Sequence, residues 1–248
     1  MRHTWSILKR ELAGYFATPV AYVFIVVFLL LAGVFTFHSR LGDLFQGGNG
    51  QATLQPFFGW HPWLYLFLIP AISMRLWAEE RRQGTIELLM TLPVTPAQVV
   101  FGKFLAAWAF VAFALALTFP LWITVNWLGD PDNGVILASY LGSLLMAGGY
   151  LAIGSALSAI SKSQVIAFVL GLVTCLLFLL LGYPPVRAFY SDMLPAALAG
   201  TISDFSFLSH WEAITRGVID ARDFLFFASL ILVAMFANAV IIDAKKAD

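Results

Sequence analysis

Charge is what this sequence has least of. Only 14 basic and 14 acidic residues occur among 248, or 11%, against 60% hydrophobic residues. A soluble domain carries about 25% charged residues, so a soluble fold is excluded and the chain reads as an integral membrane protein. The charges cancel to zero, which removes any reason to expect nucleic acid as a partner. The single cysteine, Cys175, rules out an intrachain disulfide and says nothing about compartment. Set in an apolar run, it reads as a small buried hydrophobe.

Signatures of chemistry are missing as well. There is no G-x-x-x-x-G-K-[ST] phosphate loop, because Gly102-Lys103 is followed by Phe104 and lacks the upstream glycine. ATP, if used, is bound by another chain. No H-E-x-x-H occurs, and His3, His38, His61 and His210 have no metal-ligand spacing. Gly154-Ser155-Ala156 has no histidine within an apolar span to serve it. It reads instead as part of a small-residue packing face with Ala147, Ala152 and Ala159. No apolar span carries an ionisable residue near its midpoint, which argues against a proton-coupled carrier. Neither catalytic residues, a metal nor a cofactor are therefore expected in this chain.

What is present is length of apolar sequence. A bilayer core of about 30 Å needs roughly 20 apolar helical residues. Six segments qualify: 19–37, 57–74, 104–129, 133–161, 163–182 and 224–242. Their flanks extend the second to 77, begin the third at 96 and the sixth at 222. The second is the shortest and is interrupted by Pro62 and Pro70. Ser161, Lys162 and Ser163 predict a tight turn between the fourth and fifth. Asn126 and Asn238 fall near span ends, where a bond to backbone or headgroup is expected.

Positive charge predicts the orientation. With the N-terminus inside, the inner segments hold Arg2, Lys9, Arg10, Arg75, Arg81, Arg82, Lys103, Lys162, Lys245 and Lys246, leaving Arg40, Arg187, Arg216 and Arg222 outside. Both termini are then cytoplasmic. Residues 1–18 are too long a lead, and the first span too long a run, for a cleavable signal peptide. Trp5, Leu8, Leu12 and Tyr15 recur at helical spacing and suit an interfacial helix, with Lys9, Arg10 and Glu11 at the headgroups. Thr18-Pro19 predicts a cap with proline at the first helical position.

The segment 78–95 is the dense polar exception. Glu79, Glu80, Arg81 and Arg82 extend the second span as a charged stalk, and Gly84 ends or bends it. Thr85 can cap a short helix in which Ile86, Leu89 and Met90 form an apolar face and Glu87 sits near the positive end. Pro93 stops that helix, and Thr95-Pro96-Ala97-Gln98 fits a capping box that launches the third span. A helix that docks on another protein and a helix that lies on lipid both fit this pattern. Arg81 and Arg82 read either as topology charges on a solvated stalk or as contacts to a partner.

MRLWAEERRQGTIELLMTLPVTPAQVVFGKFLA (74–106) resembles the segment between spans two and three of ABC-2 type permeases. The nearest branch contains gliding-motility permeases and the permease for nitrous-oxide-reductase maturation. GYLAIGSALSAISKSQVIAFVLG (149–171) and FSFLSHWEAITRGVIDARDFLFF (205–227) are similar to later segments of that branch. The resemblance implies an all-α, six-span, type V exporter-like permease of the bacterial cytoplasmic (inner) membrane. It implies a dimer with a second copy or a paralogue, and an ATP-binding cassette subunit that holds ATP and Mg. Gly84 to Met90 would be the coupling helix docking on that ATPase, with Glu79 to Arg82 as its stalk. Residues 183–221, broken by Pro184, Pro185, Pro195 and Gly200, would form an outer re-entrant hairpin.

The expected mechanism is mechanical: closure of the ATPases tilts the spans through the docked helices and exposes a cavity outward. Export of a substrate is one outcome. A platform that drives a membrane or periplasmic auxiliary protein, with nothing crossing, is the alternative.

Overall fold

The computed structural model describes residues 2–37, 53–86, 94–217 and 220–245, and all regular structure among them is helical. Helix α1 (Arg2–Phe16) precedes α2 (Pro19–Phe37). Then come α3 (Gln55–Gly59), α4 (His61–Ser73) and α5 (Arg75–Gln83). The middle of the chain forms α6 (Pro96–Ala116), α7 (Phe119–Leu128), α8 (Asn133–Ile160) and α9 (Gln164–Leu180). The last part forms α10 (Pro184–Met193), α11 (Ala196–Asp204), α12 (Phe207–Thr215) and α13 (Ala221–Ala244).

Everything is arranged around α8, which packs against α13, α9, α4, α12, α6 and α5. In its most apolar stretch 72% of the residues are buried, against 28% for both α2 and α13. The cause is its composition. Ala147, Ala152, Ser155 and Ala159 are fully buried, and such small residues let neighbouring backbones come close. At Gly148 a Cβ would lie 2.9 Å from Ile231 of α13. The expected packing face is thus used within the subunit. Helices α2 and α13 instead present Val23, Val26, Leu30, Leu232, Val233 and Phe236 outward, as lipid-facing helices do.

Among the described residues, four stretches are long and apolar enough to cross a membrane: Pro19–Phe37, Pro96–Leu128, Asn133–Ile160 and Ala221–Ala244. A fifth exists if α9 and α10, bent 67° to each other, count as one broken span. The first, third, fourth and sixth expected spans coincide with these four stretches, and the fifth begins the bent pair. The second covers α3, α4 and the start of α5; α4 alone, with 13 residues, reaches about 20 Å at 1.5 Å each. It is buried against α8 and α9 and so has no need of a bilayer-matched apolar length.

The break after α4 has a specific cause. Ser158 of α8 donates its hydroxyl to the Met74 carbonyl at 2.8 Å and accepts the amides of Trp77 at 3.2 Å and Ala78 at 3.1 Å. A side chain inserted into the backbone ladder kinks a helix. The third expected span is likewise divided at Leu117–Thr118, ahead of Pro120 in the first turn of α7.

Residues 183–215 form three short helices, the first of which is the second arm of a bent, re-entrant-like pair. The sharp bend lies between α9 and α10, where Pro184 and Pro185 begin the new helix. Helix α10 has no buried residue, whereas α12 buries Phe207, Leu208, Trp211 and Ile214. His210 there places Nδ1 at 2.6 Å from Asp223 Oδ1 and Nε2 at 2.8 Å from the Asp204 carbonyl, joining α11, α12 and α13.

Several local expectations meet the structure closely. Thr95 and Gln98 form the reciprocal capping box with Pro96 in the first turn, and the 161–163 turn closes through the Ser163 amide on Ser161 Oγ at 3.0 Å. Asn126 bonds the Trp122 carbonyl at 2.9 Å. Others are corrected. Thr18 Oγ1 donates back to the Tyr15 carbonyl at 3.0 Å and closes α1 instead of capping α2. The short link between α1 and α2 leaves it over that last turn. Asn238 reaches neither backbone nor headgroup, because it is fully buried and donates to Ser155 Oγ at 2.8 Å.

Candidate functional site

The polar segment after α4 is held from four sides. Helix α5 buries Leu76, Trp77 and Ala78 and turns its charged residues toward neighbouring helix ends. Trp77 is fully buried, and its indole N–H reaches Ser155 Oγ at 3.2 Å. The helix stops at Gly84, whose φ of 71° and ψ of 7° lie in the left-handed region, and the Gly84 amide bonds the Glu80 carbonyl. A residue with a Cβ is disfavoured there. Thr85 and Ile86 return at once to helical conformation. The expected corner is present where glycine punctuates the sequence.

Each stalk charge has a partner. Glu79 accepts from Arg82 at 2.8 Å and from Gln83, and its second oxygen takes the side chain of Gln164 at the start of α9. The Arg82 hydrogen bond is the largest influence holding the Glu79 carboxyl below the usual carboxylate range. Arg81 donates to the last carbonyls of α8, Ala159 at 2.9 Å and Ile160 at 3.1 Å. Lys245 joins it there, at 2.7 Å from the Ile160 carbonyl. Cations at a helix C-terminus satisfy carbonyls that have no intrahelical donor. Arg81, half-exposed, is therefore engaged at the end of α8. Arg82 is mostly exposed.

Glu80 is tied most tightly. One carboxylate oxygen accepts from Thr85 Oγ1 at 2.6 Å, across the Gly84 corner, and the other from Lys103 Nζ at 2.9 Å. Thr85 thus donates its hydroxyl back to the stalk; the amides it is expected to cap lie outside the described residues. Lys103 is only 3% exposed although it lies in α6, and its ammonium also reaches Glu11 Oε2 at 3.2 Å and stands 5.6 Å from the Trp77 ring centroid. Burial, the largest single influence, works to raise the Glu80 carboxyl. The Lys103 charge and hydrogen bonds from Thr85 and Lys103 outweigh it, so the group is held below the usual carboxylate range.

Glu11 consequently faces α6 and not the headgroups. Helix α1 lies along α6: a Cβ at Gly102 would meet Ile7 at 2.8 Å, and Tyr15 stacks on Phe110 with centroids 5.1 Å apart. Trp5, the first residue of the expected apolar stripe, is 58% exposed.

Of the expected site residues, Glu79, Glu80, Arg81, Arg82, Gly84, Thr85 and Ile86 come together at this corner. Ile86 is half-buried against the core. Glu87, Leu89, Met90 and the stop at Pro93 lie outside the described residues. Sequence reasoning missed Lys103, Glu11, Trp77 and Ser158. A lone lysine inside the apolar run from Val99 to Trp108 was the one available signal, since its partners lie 23 and 92 residues away.

With this geometry in view, comparison with known families gives one finding: the model of the family described as ABC-2 family transporter protein matches residues 5–241. No match is found among curated proteins.

Proposed function

The chain belongs to the ABC-2 family of transporter membrane proteins, and we propose that its Gly84 corner is where an ATPase subunit docks. Permeases of this family are multi-pass membrane proteins without an ATPase domain or a cofactor of their own, and they work with ATP-binding cassette subunits. The chain is such a permease. ATP and Mg belong on the partner ATPase, and two permease chains, identical or paralogous, make the complex. The inner face is the side of the corner, and both termini are cytoplasmic in a bacterial inner membrane. Within the family, the resemblance of 74–106, 149–171 and 205–227 favours the gliding-motility and nitrous-oxide-reductase-maturation branch.

One observation carries the docking reading. A stalk fixed by side chains to α6, α8 and α9, and through Lys103 to α1, ends in a left-handed glycine and re-enters helix within one residue. A loop that only linked two spans would gain nothing from being anchored to four helices. A surface that receives force must be anchored, so that displacement reaches the spans. By sequence, Glu87, Leu89 and Met90, outside the described residues, belong to the proposed docking segment, and Ile86 and Met90 are its proposed apolar anchors, which dominate interface energies.

The test is capture of the cognate ATPase by purified permease. Ile86→Asp and Met90→Asp should insert normally and lose both capture and stimulation of ATP hydrolysis. Normal capture with normal stimulation would refute the docking site.

Export of a substrate through the dimer is the favoured outcome of the motion. The platform reading draws on α10, which leaves Phe189 and Met193 each 70% exposed as a surface for an outer partner. Stimulation by added substrate would support export, and stimulation only by an outer-face protein would support the platform.

A further inference from the structure

The ionic cluster at Lys103 reaches beyond the corner. From Thr85 Oγ1 an unbroken series of contacts passes to Glu80 at 2.6 Å, Lys103 at 2.9 Å, Glu11 at 3.2 Å and Arg10 at 2.8 Å. It starts one residue past the corner and ends on the N-terminal helix. Three elements meet in it: α5 through Glu80, α6 through Lys103 and α1 through Glu11. The Lys103 ammonium has three protons and finds two carboxylates and the face of Trp77. Two of its donors are committed to carboxylates inside the protein, and the ring adds a cation–π contact.

We infer that Lys103 is a positioning residue that locks α1, α5 and the first turns of α6 into one lever, so that force at the corner is delivered to the N-terminal helix. The inference rests on the docking reading above. Its physical basis is the penalty for separation. Sliding α5 away from α1 would leave a buried cation or carboxylate unpaired, which is far more costly than breaking a neutral contact. On its other side the stalk meets α8 through the Ser158 hydroxyl and through Arg81, whose guanidinium bonds the Ala159 and Ile160 carbonyls. Arg81 is half-exposed, so its charge can turn to water when that contact parts, which the buried Lys103 cannot do. Motion is therefore directed toward slippage at α8 while α1, α5 and α6 move together. The α1–α6 contact supports this, because Ile7 over Gly102 and Tyr15 on Phe110 fix the two helices along their length.

The experiment measures the α1–α5 distance by pulsed electron resonance. Spin labels go on the exposed positions Ala13 and Gln83, in a Cys175→Ala background, in the reconstituted complex with its ATPase. Spectra are taken without nucleotide and with ATP trapped. The expected result for otherwise native protein is one narrow distance, unchanged between the two states. Lys103→Met alone leaves two carboxylates facing each other and can fail to fold. The informative variant is therefore K103M/E11Q/E80Q, which removes all three charges and retains their shape.

The triple variant should melt close to the native temperature and still capture the ATPase. It should show a broadened α1–α5 distance and lose most of the stimulation of ATP hydrolysis. A purely structural role predicts the reverse: unchanged distances and unchanged stimulation once the fold is preserved. A native distance that shifts on ATP trapping, or a triple variant with narrow distances and full stimulation, overturns the lever while leaving docking intact. Undiminished ATPase capture by Ile86→Asp would remove the docking reading and the lever with it.

Discussion

Replacing Gly84 tests the corner without touching any contact. Among the described residues a Cβ built there meets nothing within 4 Å, so the penalty they impose is the backbone angle, φ 71°. An L-residue in this conformation costs about 1–2 kcal/mol, which is roughly a 5–30-fold shift in an equilibrium. That shift is from the bent corner toward continued right-handed helix. Asparagine adopts the left-handed region several-fold more readily than most residues, whereas valine is an outlier there. Proline fixes φ near −65° and also removes the amide that bonds the Glu80 carbonyl. The expected order of ATPase stimulation is Gly, then Asn, Ala, Val and Pro. Thermal melting should change little, since the position is exposed. The comparison that decides is Asn against Ala. Asparagine is larger, so a steric mechanism predicts that it is worse, and the backbone mechanism predicts that it is better. Native stimulation by Gly84→Val, or a decline that follows side-chain volume, would refute the reasoning.

Two further perturbations probe the frame that holds the corner. Ser155 Oγ accepts from both Trp77 Nε1 and Asn238 Nδ2, so Ser155→Ala strands two buried donors at about 1–3 kcal/mol each; a calorimetric melt in detergent should show the loss, and an unchanged melt would contradict the assigned bonds. Glu80 has a carboxyl depressed below its ordinary 4.5, so its folded pKa lies under its unfolded one. Its stabilising contribution is present at neutral pH and fades as the pH falls through and below 4.5. Melts taken across that range should decline for native protein, and Glu80→Gln should decline less steeply.

The charged stalk separates two kinds of information. Its punctuation was legible, because a glycine stop, a capping box and a proline at a first helical turn depend only on residues within about four positions. Gly84 and Thr95 to Gln98 accordingly occur as the sequence implies. The meaning of its charges was not. Arg81, Glu80 and Lys103 each contribute to a positive-inside count or a polar loop in the same way, whether they face water or a buried partner. Only the helices brought alongside distinguish these cases.

The same division explains the second expected span. Hydropathy measures how readily a segment leaves water, so by itself the sequence determined an all-helical membrane protein with few charges and a chemistry-free interior. It also determined where most helices start and stop. It could not tell lipid from protein as the apolar surroundings. The tertiary structure decided that α4 is a short helix sheathed by α8 and α9, and that Ser158, 84 residues from Met74, breaks it. It also decided that Lys103 is buried between carboxylates from two other helices. Those outcomes depend on which side chains meet across the bundle, and no local pattern encodes a meeting between residues so far apart in the chain.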